Sequence, residues 1–300
     1  MKICIVGKFM PPHLGHLAMI RFAQELGETT VLVDCVPNEV PSSTIRSQWL
    51  NKSGIHSIPI TEWTPQFPHE HPDFWNYWRN LLFKYAGHFD AIVTSELYGE
   101  PLAKICNVLW IPFDIDRSAV NMRATFLRAD IIKNWDYLLP AAKEFYVKKI
   151  AIHGAESTGK STLCKKLALL HNTVSVPEYA KSWIEAKHSY DWEWFVKGHK
   201  ASVSALCPLS KHIMFLDGDI RTTFTYYRMY VGDPPQWLVD ELQLCFSKAY
   251  LVKTELPWVK DVHRENSGAF NRDKYVELLK EVLGDYEEIS VHDNIESLKF

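Results

Sequence analysis

The sequence predicts an α/β protein made of two parallel-sheet domains, each with three layers, a sheet covered on both faces by helices. Three observations predict it. Short apolar runs alternate with helix-length runs through the 300 residues. A glycine-rich phosphate-loop pattern, Gly154-Ala155-Glu156-Ser157-Thr158-Gly159-Lys160-Ser161, stands mid-chain between an apolar run and a helix-like run. A second signature, Gly7-Lys8-Phe9-Met10-Pro11-Pro12-His13-Leu14-Gly15-His16, directly follows the first apolar run. The length suits two cores of roughly 150 residues each. The boundary is drawn at Phe145, giving domains 1–145 and 146–300.

In the first half Lys2–Val6 reads as a buried strand, Leu14–Leu26 as a helix, Thr29–Cys35 as a strand and Ile45–Asn51 as a helix. Ser57–Ile60 is a strand, Asp73–Tyr85 a helix, Ala91–Thr94 a strand, Pro101–Asn107 a helix and Val108–Pro112 a last strand. Strands in such alternation form a parallel sheet whose ligands gather beyond the strand carboxyl ends. The first signature lies at such an end. Gly7 permits a tight exit from the strand, two prolines stiffen the turn, and Gly15 lets the backbone approach a ligand as the helix begins. His13 and His16 share one side of the helix start, where imidazoles can donate to phosphate oxygens and stabilise charge growing on them. Metal ligation is the rival for this pair, but no third His, Cys or carboxylate lies close in sequence. Lys8 and Phe9 complete the phosphate-facing turn.

In the second half Lys149–His153 is an apolar strand entering the phosphate loop, and Thr162–Leu170 is the helix leaving it. Such a loop wraps triphosphate oxygens with the backbone N–H groups of Gly154, Glu156, Ser157, Thr158, Gly159 and Thr162, while Lys160 reaches the outer phosphates and Ser161 ligates Mg²⁺. Val174–Val176, Ile213–Leu216, Ala249–Val252 and Glu287–Val291 read as further strands, with helices at Trp183–Lys187, Trp192–Leu206, after Asp219, and at Asp273–Leu283. This is a P-loop kinase layout. Asp217 closes an apolar strand in a form suited to Mg²⁺ bound through water, with Asp219 two residues beyond. Glu178, following Pro177, is placed to meet an acceptor hydroxyl. A solvated surface carboxylate is the alternative for each of the three.

Composition narrows the partners. A net charge of −3, from 33 basic and 36 acidic residues, gives no basic face for nucleic acid, so nucleotides are the expected ligands. Six scattered cysteines without C-x-x-C spacing fit core thiols in a reducing compartment. No apolar segment approaches the ~20 residues of a membrane span. A cytoplasmic protein without membrane insertion is expected, with a homo-oligomer left open.

The residues Gly7, Phe9, Pro11, His13, Gly15 and His16 stand in a pattern that resembles the nucleotidyltransferase superfamily, whose members transfer a nucleotidyl group from ATP or CTP with release of pyrophosphate. The resemblance implies a Rossmann-like N-terminal domain in which His13 and His16 contact the triphosphate and stabilise in-line attack. The order of features along nearly the whole chain resembles the bifunctional nicotinamide-nucleotide adenylyltransferase and ribosylnicotinamide kinase family. That resemblance implies ATP, nicotinamide riboside, nicotinamide mononucleotide and NAD as ligands, with Mg²⁺ for both reactions.

It further implies nicotinamide stacking by Trp75 or Trp78, although two tryptophans three apart also fit a core-facing helical stripe. Arg46 is a candidate contact for substrate phosphate. The family's second phosphate motif, a Ser followed five positions later by an Arg, corresponds here to Arg123 and Arg128, so the Ser is replaced. Glu178-Tyr179 resembles the family's acceptor-site pair, Asp219 is a further substrate candidate, and Arg264 and Arg272 correspond to lid arginines over the kinase ATP. Arg117 is read as a surface or junction residue. The chain begins at its first strand, so no helix-turn-helix is expected before it. Two alternatives stay open: the same folds on another nucleoside and nucleotide pair, or a nucleotide-sensing regulator with a weak adenylyltransferase half.

Overall fold

The structure is a computed structural model and describes residues 1–243, 248–258, 271–298 and 300. The chain divides into two compact units, Met1–Lys143 and Glu144–Phe300.

In the first unit the strands are β1 (Lys2–Gly7), β2 (Glu28–Val33), β3 (Ser57–Pro59), β4 (Ala91–Thr94) and β5 (Leu109–Pro112). They pair in parallel in the order β3-β2-β1-β4-β5. Helices α1 (Leu14–Leu26), α2 (Ser43–Lys52), α3 (Phe74–Ala86), α4 (Gly99–Cys106) and α5 (Ala124–Ala129) follow in sequence, and α6 (Pro140–Tyr146) crosses the division between the units. Ile3, Cys4 and Ile5 are at most 1% exposed, as expected for a central parallel strand covered on both faces. Sequential strands run outward from β1 in one direction and then resume on its other side at β4. That reversal opens a crevice beyond the carboxyl end of β1.

The second unit repeats the principle with β6 (Lys148–His153), β7 (Ser175–Val176), β8 (Ile213–Asp217), β9 (Lys248–Val252) and β10 (Tyr286–Ile289), parallel in the order β10-β9-β6-β8-β7. Its helices are α7 (Lys160–Leu170), α8 (Tyr179–Glu185), α9 (Trp192–Leu206), α10 (Ile220–Tyr230), α11 (Gln236–Gln243) and α12 (Arg272–Leu283). Leu163, Cys164 and Leu167 of α7 pack on Ile150, Ile152 and Phe215 of the sheet. Burying a leucine such as Leu167 stabilises by about 2 kcal/mol. In register, Ile152 of β6 faces Asp217 of β8, so the strand end bearing Asp217 lies beside the strand that enters the phosphate loop.

The α/β fold and both parallel sheets agree with the sequence reading. Three helices carried no expectation: α5, α6 and α11 are short, and their pattern is too brief to establish a period. The helix read at Trp183–Lys187 begins earlier, at Tyr179, because Glu178 already has the extended backbone of an N-cap.

Within α9, Gly198 is buried against the Tyr179 ring of α8; a Cβ there would stand 2.1 Å from Tyr179 Cδ1. Alanine has the higher intrinsic helix propensity by about 1 kcal/mol, yet Gly198→Ala should destabilise the second unit by about 1–3 kcal/mol through overpacking. Urea unfolding of that unit's transition checks this, and an unchanged midpoint would show that the ring relocates freely.

Candidate functional site

Each unit places a glycine-bearing loop at the end of its central strand. In the first unit the loop after β1 is held from several sides. His13 makes an isolated antiparallel bridge with Leu138, and the Leu139 N–H donates to the Pro12 carbonyl at 3.2 Å. Phe9 turns through the left-handed region (φ 49°) and buries its ring, 4.8 Å from the His16 ring. The contribution of Phe9 to the site is therefore the shape of the loop.

The two imidazoles cap helix α1. His13 Nδ1 accepts from the Gly15 N–H at 3.1 Å, and His16 Nδ1 accepts from the His13 N–H at 3.3 Å. The rings stack with centroids 3.8 Å apart. Accepting through Nδ1 fixes the proton of each neutral ring on Nε2. His13 Nε2 is buried without a hydrogen-bond partner among the described residues. Burial, aided by the Arg117 charge, lowers the His13 pKa to about 4. Burial, then His13 and Arg117, holds His16 well below its ordinary value. At neutral pH the site thus presents uncharged Nε2–H donors.

Arg117 is the residue that sequence reading misplaced. It stands in the left-handed region (φ 55°), binds Glu96 at 2.9 Å, and its charge reaches both histidines. No periodic pattern marks a loop arginine, so only the return of the chain after β5 reveals it. The same return segment brings Met122 beside the signature, its carbonyl 3.6 Å from where a Gly15 Cβ would stand. Arg123 follows as the exposed residue that begins α5, and Arg128 Nη1 donates to the Met10 carbonyl at 2.6 Å. The segment carrying Arg123 and Arg128 is thus beside the histidine loop.

Arg46 has a different place from the one expected. Its side chain is fully enclosed, and it donates to the carbonyls of Pro41 at 3.0 Å and Asp34 at 3.1 Å, to that of Lys8, and to Glu39 at 3.0 Å. A guanidinium so committed has no face left for a substrate phosphate; it ties the loops after β1 and β2 together. Lys8 itself pairs with Glu39 at 2.8 Å. Of the two tryptophans, Trp78 is a core residue whose Nε1 donates to the Pro65 carbonyl at 3.0 Å, whereas Trp75 is half-buried at the edge of the same cluster. Trp75 therefore keeps part of its side chain at the surface.

In the second unit Gly154 (φ 158°), Ser157 (φ 60°) and Gly159 (φ 84°) curl the phosphate loop. A Cβ on Gly154 would meet Thr158 Oγ1 at 2.8 Å and the Val252 carbonyl at 3.2 Å, so the loop closes only around glycine. Thr158 Oγ1 donates to the Ala155 carbonyl at 2.9 Å and is fully buried, an internal brace of the loop. Lys160 opens α7 and is 7% exposed, with Ser161 and Thr162 exposed after it; Glu156 and Ser157 are half-buried. Asp217 Oδ1 is buried without a hydrogen-bond partner among the described residues. Glu178 caps α8 by backbone position, and its charge, with those of Glu156 and Asp219, bears on the buried Tyr275 phenol, whose pKa burial raises first.

Asp219 is not an open substrate ligand. It is 5% exposed, caps α10 through the Arg221 N–H at 2.9 Å, and receives Arg221 Nε at 3.0 and 3.1 Å. Burial opposes its ionisation, but His153 and Arg221 outweigh that and hold it well below the usual carboxylate range. Arg272 Nη1 donates to the Leu256 carbonyl at 2.9 Å, while its Nε and Nη2 are buried without partners among the described residues. Leu256 also stands 3.3 Å from where a Gly159 Cβ would be, which puts Arg272 in the neighbourhood of the phosphate loop. Arg264 lies outside the described residues.

Two outcomes follow. Arg46→Met should lower the unfolding free energy by about 3 kcal/mol, because it strands buried carbonyls and leaves Glu39 without its guanidinium; chemical denaturation of the first unit measures it. His13 gives a pH dependence. Its pKa is about 4 folded and 6.5 unfolded, so between these values the unfolded chain binds the extra proton and stability falls as pH drops. The full difference is about 3 kcal/mol, of which about 2 kcal/mol falls between pH 7 and pH 5, and His13→Gln should lose that share, with the share of His16 remaining, when unfolding midpoints at the two pH values are compared.

Comparison with known proteins agrees with this layout. Residues 4–53 match the cytidylyltransferase-like family and residues 149–296 the AAA domain family. The trifunctional NAD biosynthesis/regulator protein NadR of Escherichia coli (strain K12) is 27% identical over 310 residues, covering 93% of this chain and 75% of that protein. The NadR protein of Salmonella typhimurium (strain LT2) is 26% identical over the same shares. The crystal structure of NadR protein in complex with NR superposes with a TM-score of 0.69 at 20% identity, covering 97% of this chain and 89% of that one. The NadR structure in complex with NAD and AMP-PNP gives 0.67 at 18% identity, covering 97% and 91%. Among the described residues no helix is long and apolar enough to cross a membrane. With its histidine loop in one unit and its phosphate loop in the other, the chain is similar along nearly its whole length to the NadR proteins of NAD biosynthesis.

Proposed function

We propose that the chain carries out two consecutive steps of NAD biosynthesis. The second unit phosphorylates nicotinamide riboside with ATP, and the first joins the resulting mononucleotide to AMP from a second ATP, releasing pyrophosphate. The observation that carries the reading is one strand-end cradle per unit holding a buried polar atom without a hydrogen-bond partner among the described residues: His13 Nε2 in the first and Asp217 Oδ1 in the second. Names of the relatives support the substrates, since NadR proteins are described as NAD biosynthesis proteins and one was solved with NR, another with NAD and AMP-PNP.

In the kinase step the riboside 5′-oxygen attacks the γ-phosphorus, the bond to the β-phosphate oxygen breaks, and ADP leaves; Glu178 takes the hydroxyl proton. The N–H groups of the loop from Gly154 to Thr162, together with Lys160 and Arg272, hold the charge of the transferring phosphoryl group. Mg²⁺, held by Ser161 and through water by Asp217, would neutralise triphosphate charge, and the unpartnered Asp217 Oδ1 fits that use. Among the described residues no three His, Cys, Asp or Glu side chains cluster to hold a metal by themselves, which suits an ion bound largely by phosphate and water.

In the transferase step a phosphate oxygen of the mononucleotide attacks the α-phosphorus of ATP and pyrophosphate departs. His13 and His16 donate from Nε2 to the phosphate oxygens, and Arg123 and Arg128 supply positive charge from the segment beside them. Trp75 supplies a face for the nicotinamide ring. Catalysis of this kind is positioning and charge stabilisation, without a covalent enzyme intermediate.

Lys160→Ala should reduce riboside phosphorylation by about a hundredfold or more while leaving adenylyl transfer intact, and His16→Ala should do the reverse. Product formation from nicotinamide riboside or from nicotinamide mononucleotide, each with ATP and Mg²⁺, measures both. Equal damage to both reactions by either variant, with circular dichroism unchanged, would refute the division of labour.

A further inference from the structure

Three polar side chains that the chemistry above does not use meet inside the second unit. His153 closes β6 immediately before the phosphate loop, Thr222 stands in the first turn of α10, and Tyr275 stands in the first turn of α12. All three are buried. His153 Nδ1 lies 3.2 Å from Thr222 Oγ1, and the same Thr222 side chain is hydrogen-bonded to the Tyr275 phenol. One hydroxyl can donate to one of these partners and accept from the other. At the far side of the imidazole, His153 Nε2 faces Asp219 Oδ1 at 3.5 Å, so the chain of polar groups is anchored on the Asp219–Arg221 ion pair.

The backbone makes room for this junction. Gly218 turns in the left-handed region (φ 75°), and a Cβ there would stand 2.5 Å from Thr222 Oγ1. The Tyr275 ring lies 4.7 Å from the Tyr226 ring of α10 and shares an apolar cluster with Ala155 of the phosphate loop. A phenylalanine would serve that packing equally well, whereas a buried hydroxyl is costly unless it is matched. The charges of Glu178 and Glu156 also bear on the phenol, which puts this end of the chain at the phosphate loop and the acceptor side.

Arg272 opens α12 three residues before Tyr275, so the two share a side of the helix. Its Nη1 is tied to the Leu256 carbonyl, while Nε and Nη2 are buried without partners among the described residues, two donors that suit phosphate oxygens. We propose that His153, Thr222 and Tyr275 are positioning residues, a buried polar chain that fixes the first turn of α12 against the phosphate loop and so holds Arg272 in place for the ATP phosphates before the nucleotide arrives. The proposal rests on the kinase reading of the second unit. A guanidinium misplaced by about 1 Å loses much of its effect on a transferring phosphoryl group, which is why the hydroxyl that anchors its helix matters.

The test uses the full chain with ATP, Mg²⁺ and nicotinamide riboside and reads ADP, because the adenylyl transfer step releases pyrophosphate instead. Tyr275→Phe and Thr222→Val keep the size of the side chain and remove a hydroxyl; each should lower kcat about tenfold with KM for the riboside unchanged. Thr222→Ser keeps the hydroxyl and should stay near the wild-type rate. Arg272→Ala should lower kcat about a hundredfold, and adding Tyr275→Phe to it should cause no further loss, because the phenol acts through the guanidinium. A tyrosine that only supports the fold would give losses that multiply. Multiplying losses in the double variant, or wild-type kcat in both Tyr275→Phe and Thr222→Val, would overturn the positioning role and leave the kinase reading standing. A wild-type chain that forms no ADP from ATP and the riboside would refute the kinase reading and the positioning role with it.

Discussion

A helix that starts a short loop beyond a strand end exposes backbone N–H groups with no partner inside the helix, and both units are organised around that deficit. Helix α1 follows β1 and helix α7 follows β6, in each case at the reversal of strand order where the sheet leaves a crevice. The first unit meets the deficit with imidazoles: His13 Nδ1 takes the Gly15 N–H, and His16 Nδ1 returns to the His13 N–H. In the second unit Thr158 braces the loop by donating to the Ala155 carbonyl, and on the proposed reading the loop N–H groups serve a phosphate chain. The difference matters chemically. Capping by Nδ1 turns two ordinary histidines into fixed Nε2–H donors, and burial keeps them neutral so that they donate without adding charge.

Buried charges elsewhere serve to hold these loops. Arg46 joins backbone segments from three parts of the first unit, Lys8, Asp34 and Pro41, with Glu39 as its counter-charge. Asp219 and Arg221 do comparable work at the start of α10, beside His153, the residue that precedes the phosphate loop. Removing one partner from such a group is costly because the other is left without water or a mate. These residues are better understood as the frame within which His13, Lys160 and Asp217 keep their positions.

The sequence by itself determined the α/β class, the parallel character of both sheets and the two glycine loops, because these rest on local rules. A continuous apolar run between turn residues forms a buried strand whatever surrounds it, and a loop that must curl at Gly154 and Gly159 tolerates little else. It also brought Asp217 and Glu178 to strand ends, since strand ends are visible as the close of an apolar run. Tertiary structure alone decided the rest. Arg46 and Asp219 have the same local appearance as exposed ligands, and only packing shows that their charges are enclosed and matched. Trp75 and Trp78 are equivalent on a helical wheel until the core claims one of them. Arg117 reaches the histidines, and the rings from Tyr190 to Trp237 converge on one cavity, through segments far apart in the chain; no spacing encodes such meetings, because they depend on where long-range contacts return the backbone.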